Sequence, residues 1–109
     1  MSWQQVCTTD DVGEDELEEF EVGEIKVLVA NAGGEFFAYP PQCPHQETPL
    51  SLGIIDGDTL TCIKHLWQWN MRTGEMRDNA ESPLLTYDVK VEDGSVMVNF
   101  AKELKYDYQ

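Results

Sequence analysis

Basic side chains are scarce in this sequence. Seven lysines and arginines face 21 aspartates and glutamates, so the formal charge is −14 over 109 residues. A surface that acidic repels phosphate backbones and anionic bilayers, which excludes nucleic acid and the membrane surface as partners. It favours solubility and steering toward a basic protein patch. Long apolar runs are missing too: none approaches the ~20 residues of a membrane-spanning helix. The opening residues, Met1-Ser2-Trp3-Gln4-Gln5, set no apolar stretch behind a basic one, so no export signal is predicted. Cysteine is limited to Cys7, Cys43 and Cys62, an odd number that fits a reducing cytoplasm better than a disulfide framework. Internal repeats, low-complexity tracts and long amphipathic helices are absent. What the chain does have is 41% hydrophobic and 10% aromatic residues. That is enough for one packed domain and, at this length, not for two.

Strand and turn signals run through the chain. Trp3 to Cys7 reads as a short strand. From Asp10 to Glu24 there are nine acids and no base. The period-2 pair Phe20/Val22 makes this an edge strand with an acidic outer face, and the Leu17-to-Phe20 spacing leaves one helical turn as the alternative. Ile25 to Ala30 is apolar and β-branched, Gly33-Gly34 breaks it, and Glu35 to Tyr39 returns as a hairpin that Pro40-Pro41 ends. Short strands are expected at Thr59 to Cys62 and Leu66 to Met71, between turns at Asp56-Gly57-Asp58 and Arg72-Thr73-Gly74. Leu84 to Val91 and Val96 to Phe100 flank Asp93-Gly94, a second hairpin signal. The tail, Ala101 to Gln109, is expected to fray or lie along the surface. Regular strands at both ends bracket a middle rich in Pro and Gly. The expectation is a single all-β domain: an antiparallel sandwich or barrel base, about residues 1–40 and 83–109, carrying a loop-rich insertion, about residues 41–82.

The chain's two histidines each follow a cysteine: Cys43-Pro44-His45 and Cys62-Ile63-Lys64-His65. Cys7 has no such neighbour and reads as a small buried hydrophobe of the first strand. Four N and S ligands in two pairs point to zinc or to an iron–sulfur centre. Finger-type zinc sites keep paired ligands about two to five residues apart, so that both fold back on one ion. Only Pro44 separates Cys43 from His45, and an extended chain puts their Cα atoms about 7 Å apart. That is awkward for one tetrahedral ion and comfortable for ligands of two different metals, which a [2Fe–2S] centre supplies. A cysteine nucleophile would need only one pair and a third residue to orient it, and none is recognisable.

With sixteen residues between His45 and Cys62, C-x-H followed by C-x-x-H resembles the motif of Rieske ferredoxins. The strand order around the two loops is similar to that family over nearly the whole chain. The flanks, Cys43-Pro44-His45-Gln46-Glu47 and His65-Leu66-Trp67-Gln68-Trp69-Asn70, look more like the Rieske ferredoxins of bacterial multicomponent diiron monooxygenases, those of toluene and related arenes or alkenes. Ferredoxins of ring-hydroxylating dioxygenases commonly read C-x-H-G-x and C-P-x-H-x-x-x-F instead. The resemblance implies a Rieske fold and one [2Fe–2S] cluster, with Cys43 and Cys62 on the inner iron and His45 and His65 on the outer. It implies a non-enzymatic electron-transfer component: a soluble, cytoplasmic, monomeric carrier that takes electrons from an NADH-dependent flavin/iron–sulfur reductase and passes them to a terminal diiron hydroxylase. High-potential members carry two further cysteines and a serine where this chain has Thr48, Lys64 and Trp67. The expected potential therefore lies toward the negative end of the roughly −150 to +300 mV Rieske range.

A carrier needs no substrate pocket and no catalytic residue, only a ligand edge that partners can approach. Pro44, Gln46, Glu47 and Pro83 are the candidate docking rim, with Gln46 either a docking contact or a loop-stabilising hydrogen bond. Glu47, Asp56 and Glu81 are better docking acids than Asp10 to Glu24, which lie far from the cluster loops in sequence and read as a solvated edge that blocks strand pairing. Trp3, Trp67 and Trp69 are expected in the core or packing the loops, and Met71, Met76 and Met97 as gap-fillers. Lys64 either moderates negative charge near the site or is simply exposed. Three other functions compete: a dioxygenase ferredoxin, a zinc-binding interaction module, and a cluster-less regulatory or nitrite-reductase-type subunit, against which retention of all four ligands speaks.

Overall fold

The computed structural model describes residues 3–44, 49–63, 66–77, 80 and 82–106. His45, Gln46, Glu47, Thr48, Lys64, His65 and Glu81 lie outside the described residues. Among the described residues the strands are β1 (Trp3–Thr8), β2 (Glu16–Val22), β3 (Ile25–Ala32), β4 (Glu35–Tyr39), β5 (Ile54–Asp56), β6 (Thr59–Thr61), β7 (Gln68–Asn70), β8 (Val89–Glu92) and β9 (Ser95–Asn99). They form three antiparallel three-stranded sheets in the orders β1-β9-β8, β2-β3-β4 and β5-β6-β7. A 3-10 turn, Leu50–Leu52, precedes β5.

The apolar run of β3 is explained by its place in the middle layer. Leu28 and Ala30 point into a core shared with Leu60, Trp69 and Met71 of the β5-β6-β7 side. Val27 and Val29 point the other way, against Val98 and Val96 of β9. A strand buried on both faces needs apolar residues at every position rather than at alternate ones. Its partner β4 obeys the same rule, with Phe37 and Tyr39 on the first side and Phe36 and Ala38 on the second. β1 carries a bulge between Gln5 and Cys7. The extra residue breaks the period of two, so consecutive Val6 and Cys7 both turn inward.

β2 is the edge of the middle sheet, and Glu16, Glu18, Glu19 and Glu21 are all exposed along it. Glu16–Val22 of the acidic run is thus strand rather than helical turn, with charges where another chain would otherwise pair, while Asp10 to Asp15 form turns before it. Its distance from the loops in sequence is misleading, however. Leu17 packs into the core that holds Cys43 and Cys62, and β2 lies against the Leu50–Leu52 turn.

Four details depart from the sequence reading. The strand expected from Leu84 begins only at Val89, because the N–H of Leu84 goes to Gly74 O (2.9 Å) and that of Leu85 to the Tyr106 hydroxyl (2.8 Å) instead of to a ladder. The strand expected from Leu66 begins at Gln68, after a turn in which Leu66 has φ +57°. Trp3 is not core: it is 37% exposed with the Lys90 ammonium 4.5 Å over its ring. Met76 is exposed too, while Met71 is fully buried. The tail as far as Tyr106 lies along the surface, held by the Tyr106 hydroxyl and by Leu104, whose N–H donates to the Tyr87 hydroxyl at 2.9 Å.

Candidate metal centre

Two loops are pinched at their necks, and each neck carries a cysteine. Pro40-Pro41 cannot extend β4, so the chain turns out of the middle sheet. A lone bridge then pairs Gln42 with Pro49, and Leu50 N–H donates to Pro41 O at 2.9 Å. Cys43 is the first residue inside this neck, and the segment it closes contains His45. Cys62 follows β6 directly, and its N–H donates to Trp67 O at 2.8 Å. That bond closes a second, tighter loop, which contains His65.

Cys43 and Cys62 are both buried thiols, 0% and 1% exposed, in one core with Leu50, Leu60, Trp67 and Trp69. A thiolate in an apolar core is costly unless a metal ligates it. The two buried sulfurs fit the soft ligands of an iron–sulfur cluster. Among the described residues no group of three or more His, Cys, Asp or Glu is placed to hold a metal ion. Of the expected rim, Pro44 is half-buried and Pro83 exposed. Ile63 and Leu66, which the rim did not include, are both exposed.

Two side chains reaching distant carbonyls fix β7, the strand that follows the second loop. The Tyr39 hydroxyl donates to Met71 O at 2.7 Å, and Trp69 Nε1 donates to Ser82 O at 2.8 Å. Burial first, and the Tyr106 phenol second, push the Tyr39 pKa well above its ordinary value, so it stays a hydrogen-bond donor. Trp67 and Trp69 meet edge to face, with ring centroids 6.2 Å apart. At the opposite end of β7, Arg72 pairs with Glu35, and its guanidinium lies 5.8 Å from the centre of the Phe37 ring. Hydrogen bonding to Glu35 raises the Arg72 pKa further. Cys7 belongs to a different core, with Val12, Val29 and Val96. Burial, and then the Asp11 carboxylate, push its thiol from 9.0 up to about 11, which keeps it neutral and inert.

Open grooves lie elsewhere: one of about 350 Å³ between Asp15, Phe37, Asp58 and Arg72, and one of about 310 Å³ beside Lys26, Pro41, Gln42 and Tyr106. Among the described residues no helix is long and apolar enough to cross a membrane.

Layered antiparallel sheets with two pinched loops, each led by a buried cysteine, are the frame of a small metal-binding β protein. The Rieske [2Fe-2S] domain family matches residues 2–88, and the chain belongs to that family. It is 44% identical over 110 aligned residues to the methanesulfonate monooxygenase ferredoxin subunit of Methylosulfonomonas methylovora, covering 100% of this chain and 89% of that protein. It is 35% identical to the ferredoxin component of the alkene monooxygenase system of Xanthobacter autotrophicus, covering 90% and 81%. A solved structure of reduced oxygenase and oxidised ferredoxin in carbazole 1,9a-dioxygenase contains a chain that superposes with TM-score 0.79 at 30% identity, covering 94% and 97%.

Proposed function

We propose that this chain is a one-electron carrier of a multicomponent monooxygenase. It takes electrons from an NADH-dependent flavin/iron–sulfur reductase and hands them to the diiron hydroxylase of an aromatic-hydrocarbon system, as a soluble cytoplasmic monomer. One domain, residues 1–109, holds the site, with 1–40 and 83–109 as base and 41–82 as the cluster-binding part. Cys43 and Cys62 would hold the inner iron, and His45 and His65 the outer one. The cluster, when bound, supplies a single reversible redox step. The chain's own part is to bury the two sulfurs in an apolar core, clamp both loop necks, and leave the loop surfaces free for partners. Pro44, Gln46, Glu47 and Pro83 form the docking rim in this reading. Without the extra cysteines and serine of high-potential members, the midpoint is expected well below 0 mV.

The observation that carries this reading is the pair of buried cysteines at two pinched necks, in a chain similar along its whole length to a monooxygenase ferredoxin. The likeness to a dioxygenase ferredoxin structure favours a second reading, the same carrier with a dioxygenase as acceptor.

The test has two stages. Purified protein should be brown, contain about two irons per chain and bleach on dithionite; a colourless protein with one zinc overturns the proposal. Reconstitution with reductase and, in parallel, with a diiron arene hydroxylase and with the oxygenase components of the methanesulfonate and carbazole systems should then give turnover with the diiron hydroxylase; turnover with the methanesulfonate oxygenase alone would keep the carrier role and overturn the diiron assignment. Turnover with the dioxygenase alone would select the second reading.

A further inference from the structure

Leu66 is the anomaly of the second loop. Among the described residues three non-glycines have positive φ: Asp15 (60°), Leu66 (57°) and Asp93 (50°). Aspartate visits this region in turns because its short carboxylate can bond to nearby backbone. Leucine has no such compensation, and its Cβ crowds the following carbonyl. The conformation is imposed by the loop: Cys62 N–H reaches Trp67 O at 2.8 Å, so the chain must double back in between. Glycine would take that turn without strain. Burial does not account for the leucine either. Leu66 is 58% exposed, more than any other large apolar side chain among the described residues, and Ile63 in the same loop is 46% exposed. Folding alone favours glycine at this position, and a strained, exposed residue beside a site points to a role outside the fold.

We propose that Leu66, with Ile63 beside it in the loop, is the apolar contact by which this protein docks on its oxygenase component. The inference rests on the electron-carrier reading and deepens it by naming the residue that sets partner affinity. Trp67, the next residue, is buried and packed edge to face on Trp69, so the leucine is presented from a rigid support. Contact there would bring the partner against the loop that contains His65. The oxygenase is the favoured occupant because the ferredoxin relative with the same fold is found in complex with one. A chain of charge −14 further requires that the partner surround its apolar pocket with basic residues.

The decisive variant is Leu66→Gly, because glycine takes the positive-φ turn without strain. It should melt at or above the wild-type temperature and keep the wild-type visible spectrum and midpoint. In turnover with the oxygenase component of methanesulfonate monooxygenase, the KM for the carrier should rise about tenfold, as for loss of a central apolar contact, with kcat little changed. Val91→Ser, which removes another exposed apolar residue, from β8 (48%), should leave that KM unchanged. A wild-type KM for Leu66→Gly overturns the inference, as does a rise confined to the reductase reaction or a loss of cluster and stability. Wild-type protein that is colourless, or supports no turnover with any oxygenase, fails at the earlier stage and removes the electron-carrier reading together with the inference.

Discussion

The sheets β1-β9-β8 and β5-β6-β7 are both three-stranded and antiparallel, yet different forces hold them. In the first, strands of four to six residues pair along ladders interrupted only by the β1 bulge, and Val96 and Val98 alternate into the core. In the second, each strand has only three residues. Its position depends on two buried side chains: Tyr39 of β4 donates to the Met71 carbonyl just past β7, and Trp69 of β7 donates to the Ser82 carbonyl. The first sheet is specified by a repeating pattern, so any one residue matters little. The second is specified by a few single contacts and by whatever ligates its buried sulfur, because metal binding to a site absent from the unfolded chain is itself folding free energy.

The sharpest way to break this comparison is to exchange the two kinds of cysteine. Cys62→Ser or Cys43→Ser should cost at least tenfold in bound iron, abolish the visible bands and lower the melting temperature. Cys7→Ser should keep full iron and lose only about 1–3 kcal/mol for burying a hydroxyl among valines. Iron analysis and thermal melts check both. Colour surviving in Cys62→Ser would mean that the two sheets do not differ in the way described.

A second pair isolates the backbone. Gly74 follows β7 and Gly94 turns β8 into β9, and both have φ +78°. A Cβ at Gly74 would lie 2.0 Å from Leu84 O, whereas one at Gly94 would meet nothing within 4 Å. Gly94→Ala should cost about 1 kcal/mol for conformation alone. Gly74→Ala should cost roughly 3 kcal/mol or more, because the Leu84 backbone must also move. Equal losses in denaturant melts would show that the approach of Gly74 to Leu84 is no tighter than an exposed hairpin.

The sequence made these two regions unequally legible. Both hairpins of the longer strands could be read from apolar, β-branched runs and from the turns Gly33-Gly34 and Asp93-Gly94, because composition and turn chemistry are local signals. β5 was not expected: Ile54–Asp56 is too short to carry a period, and its place is set by pairing with Thr59–Thr61. The Tyr106 hydroxyl that diverts Leu85 from a ladder acts across 21 residues, which no local pattern encodes. At the site, the cysteine and histidine spacing was legible as chemistry, and the burial of Cys43 and Cys62 agrees with it. The strain at Leu66 was not legible, since only the closed loop reveals that the position demands a conformation that leucine disfavours. The acidic strand was misjudged as remote from the loops because sequence distance says nothing about which layer Leu17 enters.

Tyr39→Phe tests one lock by itself. It removes a buried hydroxyl that satisfies Met71 O, so the orphaned carbonyl should cost about 1–3 kcal/mol. The loss should appear in denaturant melts without a change in iron content. A neutral result would mean that the apolar core alone positions β7.

The first sheet carries a smaller, pH-dependent signature. The Cys7 thiol is raised to about 11 in the folded protein from an ordinary 9.0. A folded pKa above the unfolded one means that its stability contribution is complete below pH 9 and is lost as pH climbs toward 11. Between pH 8 and 10 the wild type should lose about 1 kcal/mol more than Cys7→Ala. Parallel stability curves for the two proteins would show that the thiol is not shielded as its burial implies.

The smallest effect is expected at the ion pair that links the sheets on the surface. Arg72 and Glu35 join the end of β7 to the start of β4, but their side chains are 55% and 50% exposed. Water and salt screen such a pair, and holding two long side chains in one geometry costs entropy. Arg72→Gln should therefore leave the melting temperature unchanged within error at physiological salt. Tyr39→Phe, which breaks a buried contact between the same two sheets, should not. A clear destabilisation by Arg72→Gln that fades at high salt would move the attachment of the second sheet from its core to its surface, and would reverse the order of importance argued for the two kinds of contact.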